Sequence, residues 1–143
     1  MLVEIRTGSA DPALDARLSG ELDTFNARAV PGPSAVELTV TAVDQDGELV
    51  GGLSGWTWQE AAGIGLTWVR DDQRGSGVGS DLLIRFEQEA AARGALRVFV
   101  TSFTFQAPGF YERHGYREIF RWDGVPVAGH ADVHFRKELV EPQ

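Results

Sequence analysis

The chain has 143 residues, 43% of them hydrophobic and 24% charged, a length that suits one domain over residues 1–143 with a single sizeable core. No cysteine is present, which excludes a disulfide scaffold, a thiolate zinc site and a cysteine nucleophile. Thirteen basic against 21 acidic residues leave a net charge of −8, which argues against duplex nucleic acid or an anionic membrane as a partner.

Leu2 to Arg6 alternates like a first strand and lacks the basic-then-apolar build of a signal peptide. No apolar run approaches the roughly 20 residues that cross a bilayer, so the expected location is cytoplasmic. Asp11-Pro12 sets a helix start, an N-cap acid followed by proline at the first helical position. Leu14, Leu18, Leu22 and Phe25 recur at helical spacing, with Gly20 a point at which the stretch splits into two short helices. Pro31-Gly32-Pro33 ends it. Ala35 to Val43 is rich in β-branched residues, and the turn Asp44-Gln45-Asp46-Gly47 joins it to Glu48–Trp58 as an antiparallel hairpin. A second turn around Ala61-Ala62-Gly63 leads into a fourth strand, Ile64 to Val69.

After a glycine-rich loop, Leu82, Leu83, Phe86 and Ala90 mark an amphipathic helix that closes at Arg93-Gly94. Leu96 to Thr101 is a fifth strand, Pro108 to His114 a short helix stopped by Gly115. Strands over Tyr116–Arg121 and about Gly129–Arg136 complete the chain. This order predicts an α/β fold with a mixed sheet and helices on both faces. Lys137 is the single lysine among 13 basic residues, a codon bias that points to a bacterial genome.

The most informative stretch is Gln73-Arg74-Gly75-Ser76-Gly77-Val78-Gly79-Ser80, between a strand and a helix. Alternating glycines let successive backbone N–H groups turn toward one point, at a helix N-terminus whose dipole favours an anion by about 0.3–2 kcal/mol. Arg74 adds a permanent cation with a fork suited to phosphate. Together these parts make a diphosphate cradle. A nucleotide-triphosphatase loop needs Lys-Ser/Thr after its last glycine, where Ser80-Asp81 stand. The dinucleotide fingerprint needs Gly or Ala where Ser80 stands, and belongs to the first strand–helix unit of a parallel fold. A plain glycine-rich turn is the remaining alternative.

Arg74-x-x-Gly77-x-Gly79, preceded by Leu66-Thr67-Trp68-Val69 and followed by Leu82-Leu83, resembles the acyl-CoA signature of the GNAT N-acetyltransferase family. Ala107-Pro108-Gly109-Phe110-Tyr111-Glu112-Arg113-His114-Gly115-Tyr116 is similar to that family's second motif. The resemblance covers about residues 48–121. It implies a mostly antiparallel sheet whose parallel central pair, the fourth and fifth strands, splays apart to admit the pantetheine arm of acetyl-CoA. Carried over, Trp68 and Val69 pair with pantetheine, and the backbone from Arg74 through Gly75, Ser76, Gly77, Val78 and Gly79 to Ser80 takes the pyrophosphate. Phe110 joins the cofactor contacts. Many members carry Asn seven residues before the tyrosine, where this chain has Thr104; Gln106 is the residue able to supply an amide to CoA instead.

Acetyl transfer from a thioester to an amine needs a neutral amine, an oxyanion donor and a proton for the departing thiolate. An alkyl amine near pKa 10.4 is only about one part in 10³ neutral at pH 7, a handicap of roughly 4–5 kcal/mol. The resemblance implies the backbone N–H near Val69 as oxyanion donor and Tyr111 as general acid; the plain alternative for Tyr111 is a core tyrosine. The general base is not readable: no acid lies on Ile64–Val69, and Glu60, just before the strand, and His130 are each candidates whose plain alternative is a solvated surface residue. His130-Ala131-Asp132-Val133-His134 places three polar side chains on one strand face, as a metal site would, but Ala131, Val133 and Phe135 make that pattern the ordinary one for a half-exposed strand, and no metal is expected.

Trp56, Trp58, Trp68, Phe103, Phe105 and Trp122 divide between core and substrate pocket. Glu21, Asp23, Glu60 and Asp123 among Trp56, Trp58 and Trp122, with Arg28 the clear basic residue, form an expected mouth that prefers a small cationic or aromatic amine, the plain alternative being acids that only keep the surface soluble. The reading is therefore an N-acetyltransferase that moves acetyl from acetyl-CoA to a small-molecule primary amine by direct attack in a ternary complex, since no cysteine can carry the acyl group. A non-catalytic acyl-CoA-binding domain on the same fold is the rival. Homodimers are open to such a chain, although no stretch marks an interface.

Overall fold

The Asp11 side chain, on extended backbone, accepts a hydrogen bond from Leu14 N–H at 3.0 Å, and Pro12 opens helix α1, Pro12–Ala29. Gly20 does not divide this helix. One glycine costs only about 1 kcal/mol in a helix interior, and its neighbours hold the turn: Thr24 Oγ1 donates to Gly20 O at 3.2 Å. A computed structural model describes residues 1–139, which fall into two units divided after Ser34. In the first unit the expected strand over Leu2–Arg6 does not form. Alternation alone does not make a strand without a ladder partner, and among the described residues no strand pairs with this segment; Leu2 and Ile5 are exposed.

The second unit is built on six strands: β1 (Val36–Val43), β2 (Leu49–Trp58), β3 (Ala61–Val69), β4 (Arg97–Phe103), β5 (Arg117–Asp123) and β6 (Ala131–Glu138). They lie in the order β1-β2-β3-β4-β6-β5, with β3 and β4 the single parallel pair. The β1–β2 hairpin closes as expected. Asp44 Oδ1 accepts from the N–H groups of Asp46 (2.9 Å) and Glu48 (3.0 Å), and Gly47 takes φ +81°.

The next turn is Gln59–Glu60, two residues earlier than the sequence pattern predicts, with Gln59 at φ +53°. Ala61-Ala62-Gly63 belongs to β3. These residues are small for packing: a Cβ on Gly63 would overlap the indole ring of Trp56, and Ala62 lies in the core. Gly55 answers the same demand, because a Cβ there would overlap the Gly63 carbonyl oxygen and meet Phe86 at 3.0 Å.

Helix α2 (Val78–Ala92) lays Leu82, Leu83, Phe86 and Ala90 against β1, β2 and β3. Its stop is the one expected, with Arg93 at the cap and Gly94 at φ +100°. Helix α3 (Pro108–Arg113) contributes Tyr111 to the same buried cluster, beside Phe135 and Tyr116. No described helix is long and apolar enough to cross a membrane.

What positions the site is where β3 and β4 stop pairing. Their ladder runs from Ala61↔Arg97 only to Ile64↔Val100, yet β3 continues to Val69 and β4 to Phe103. Gly65 is an extra residue in the β2–β3 register, a bulge at the point of divergence. The mixed, mostly antiparallel sheet with a splayed central pair is therefore present. Replacing Gly55 by Ala should lower the free energy of unfolding by about 1–3 kcal/mol, as overpacking does, with a lower urea midpoint at unchanged slope.

Candidate active site

The parted strands leave backbone groups without a ladder. Arg70 N–H donates to Val50 O at 2.8 Å, and Val69 lies opposite Gly51, so Val69 turns its own N–H and carbonyl away from β2 and into the gap. Alternation gives Thr67 the same orientation. Trp68, opposite Gly52, points its backbone at β2 instead. The free edge thus belongs to Thr67 and Val69 and not to the backbone of Trp68.

Beyond β3, Asp71–Gln73 form a 3₁₀ turn, and the glycine loop leads into α2. Gly75 and Gly77 sit at φ +79° and +95°, a region that side-chain-bearing residues avoid, and a Cβ on either would meet nothing within 4 Å. The loop is open on that side and closed by its own bonds on the other, where Ser76 Oγ donates to Gln73 O. Gly79 is different. A Cβ there would lie 3.4 Å from the Phe110 ring and 3.6 Å from Val69 Cγ2, so the first turn of α2, the end of β3 and α3 converge on this glycine.

Arg74 is less free than its sequence position implies. Its Nε donates to Val69 O at 3.1 Å and its Nη1 pairs with Asp71 at 2.9 Å. The guanidinium ties the loop to the end of β3 and takes up the Val69 carbonyl, leaving the Val69 N–H directed at the gap.

Helix α3 starts where Ser102 Oγ accepts from Ala107 N–H at 3.1 Å, and Pro108 supplies the first turn. Tyr111 from this helix donates to Thr67 Oγ1 at 3.3 Å, beside the free edge of β3. Burial pushes its hydroxyl pKa above the ordinary value of 10.0. Phe110 packs edge-on against Tyr111, and its carbonyl is bonded to His114 Nδ1 at 2.8 Å. Tyr116 lies behind, donating to Glu87 at 2.7 Å; burial, then the nearby carboxylate, drives its pKa up too.

Thr104, at the position of the family asparagine, and Gln106, expected to supply its amide, both make bonds within the protein. Thr104 Oγ1 accepts from Ala131 N–H at 3.1 Å and bonds His130 Nδ1 at 3.2 Å, fastening β4 to the start of β6. Gln106 folds back on Phe103: its Oε1 accepts from Phe103 N–H at 2.8 Å and its own N–H donates to Phe103 O at 2.8 Å, leaving the amide NH₂ as its remaining donor group.

Glu60 is at the wrong end. It precedes the first residue of β3 whereas the gap is at the last, roughly 25–30 Å away at about 3.3 Å per residue. Glu60 pairs with Arg97 there, and Trp58 opposes Ala61 at the same end, so neither belongs to the mouth. Glu21, Asp23 and Arg28 lie in the first unit. Trp122 and Asp123 oppose Asp132 and Ala131, at the gap end of β6. Sequence reasoning missed Thr67 and the buried Ser102; the period-2 orientation of β3 and the short spacing to Pro108 carried the signal.

The profile of the acetyltransferase (GNAT) family matches residues 6–116. The chain belongs to this family. The match takes in the glycine loop, the splayed edge of β3 and the Tyr111 helix, and stops before β5. A blasticidin-S acetyltransferase of Streptomyces morookaense is 44% identical over 80 residues, 53% of this chain and 57% of that protein, so the chain aligns with little more than half of that relative's length. An acetyltransferase of Agrobacterium fabrum is 27% identical over 110 residues, 77% of this chain and 80% of its own. A solved acetyltransferase from Bacillus cereus shares 26% identity with a TM-score of 0.78, over 94% of this chain and 97% of the other.

Both tyrosines of this GNAT chain are buried with raised pKa values. Native protein titrated through pH 10 should therefore show little tyrosinate ultraviolet absorbance until it unfolds. A folded-state pKa above the unfolded value contributes stability that is complete below about pH 10 and lost as pH rises further. Far-ultraviolet circular dichroism recorded alongside absorbance should show the two changes together.

Proposed function

We propose that this GNAT chain is an acetyl-CoA-dependent N-acetyltransferase acting on a small-molecule primary amine. The observation that carries the reading is one convergence: the glycine loop, the free Val69 N–H and the Tyr111 hydroxyl all border the gap between β3 and β4. A cofactor that is elongated, with a diphosphate at one end and a thioester at the other, fits those parts. The open side of Gly75 and Gly77, where a Cβ would meet nothing, suits a diphosphate at the start of α2. The edge of Thr67 and Val69 suits an amide-bearing arm that bonds like a strand.

Within that frame each residue has a defined task. The Val69 N–H faces the position where negative charge develops on the thioester oxygen. The amine nitrogen forms the new C–N bond as the C–S bond breaks, and the amine loses one proton. Tyr111, neutral because burial disfavours its phenolate, supplies a proton to the departing sulfur and is restored from solvent. No thiol in the chain can take the acyl group first, which favours direct attack. The blasticidin-S relative supports a small-molecule acceptor.

An amine library read by CoA release tests the reading, with thermal shifts for acetyl-CoA, ATP and NAD run beside it. Acetyl-CoA alone should raise the melting temperature, and acetyl-CoA binding without CoA release from any amine would favour the non-catalytic rival. Tyr111→Phe should lower kcat about 10²-fold with acetyl-CoA affinity nearly unchanged. Gly79→Val should push Phe110 and Val69 apart and weaken acetyl-CoA about tenfold or more by calorimetry, without the backbone strain that a change at Gly77 brings.

A further inference from the structure

Asp132, the second residue of β6, lies on the sheet face opposite the α2 core, since its neighbour Val133 belongs to that core and Ala131 is buried on the same side. Its two carboxylate oxygens are used unequally. Oδ2 is bonded to His134 Nε2 at 3.2 Å, whereas Oδ1 is buried with no hydrogen-bond partner. A buried acceptor left unpaired is costly, more so on a charged group, and calls for a donor or cation. Of the other cations of this face, Arg136 and Arg97 pair with Glu138, and Arg117 lies opposite Arg136, at the other end of the β5–β6 ladder from Asp132.

The surroundings define what kind of cation fits. The cross-strand partners of Asp132 are Phe103 on β4 and Trp122 on β5. Phe103 stacks on Phe105 at 5.3 Å, Trp122 meets Phe120 edge-on at 5.6 Å, and Phe120 meets His134 at 5.7 Å. A metal ion wants three or more ligating side chains, and no such group exists among the described residues. Aromatic faces around one carboxylate suit an organic ammonium or guanidinium.

The geometry points to Asp132 as the anchor for a positively charged nitrogen of the acceptor, and so as a specificity-determining residue. Phe103 is the last residue of β4, where the gap is widest, which sets Asp132 beside the gap on the side away from β3. A nitrogen paired with this carboxylate stays protonated and cannot attack a thioester. The acceptor class that follows carries at least two basic nitrogens, one held at Asp132 and another acetylated. The role in acceptor choice rests on the acetyltransferase reading; the cation site itself does not.

The binding test uses the whole chain, ¹⁵N-labelled, titrated with phenethylammonium chloride and followed on the four indole N–H signals, that of Trp122 assigned by its loss in Trp122→Phe. A saturable shift of the Trp122 signal is expected, weakened about tenfold or more in Asp132→Asn and for uncharged phenethyl alcohol. Equal binding by Asp132→Asn, or by the alcohol, overturns the site. Trp122→Leu, on the exposed strand β5, should weaken binding with the fold retained, and serves if Asp132→Asn does not fold. In turnover, Asp132→Asn should raise KM for a diamine about tenfold while acetyl-CoA affinity stays within about twofold; an unchanged KM overturns the acceptor role. Phenethylammonium binding without acetyl-CoA binding would leave the site standing and overturn the proposed function instead.

Discussion

The parting of β3 and β4 after Ile64 and Val100 is the constraint on which the rest depends. A sheet interior normally satisfies its backbone groups by ladder bonds, and a strand edge that stays unpaired inside a protein is costly. Here the bulge at Gly65 turns β3 outward and sets Thr67 and Val69 facing a gap. The protein closes only part of that edge. Arg74 takes the Val69 carbonyl and Gln106 takes both backbone groups of Phe103, so the gap keeps a short run of free backbone beside the Tyr111 hydroxyl. A strand-like guest with its own amides is the natural occupant of such an opening.

The end of β3, the start of α2 and the more distant α3 are held together at that opening by one small residue. Gly79 lets the first turn of α2 approach the Phe110 ring and the Val69 side chain. The sequence motif marks Gly79 as part of an anion cradle, whereas the structure gives it a packing duty as well. Gly75 and Gly77 serve a different need, backbone at positive φ that shapes the loop before the helix. Glycines that look equivalent in a motif thus answer two different demands.

Much of this was legible because local chemistry and global fold agree. The N-cap at Asp11, the Asp44–Gly47 turn, the α2 stripe and the Gly94 stop each have a short-range physical cause that tertiary structure did not override. What was illegible depended on distant partners. Ala61-Ala62-Gly63 reads as a turn until the Trp56 ring that requires small residues is in place. Leu2–Arg6 has the alternation of a strand but no ladder partner among the described residues. Arg74 reads as a free cation because its bonds to Val69 and Asp71 follow from the loop's path, not from spacing. The unbonded oxygen of Asp132 was invisible for the same reason: a pattern of alternating burial shows which face a residue takes, not which of its atoms lacks a partner.

Proton accounting connects the gap to the acceptor. Burial keeps the Tyr111 hydroxyl neutral, which suits the proton-donating role proposed for it and makes it a poor acceptor of a proton. Glu60 stands at the far end of β3, and the gap-side stretch Leu66–Val69 carries no acid. In the proposed acetyl transfer the reacting nitrogen then loses its proton to a group other than Tyr111 or Glu60. A carboxylate directly at the reacting amine would work against this, because it would hold that nitrogen as ammonium. With Asp132 on β6 and Phe103 between it and the free edge of β3, the proposed charge recognition and the proposed neutral nucleophile fall on different sides of the gap.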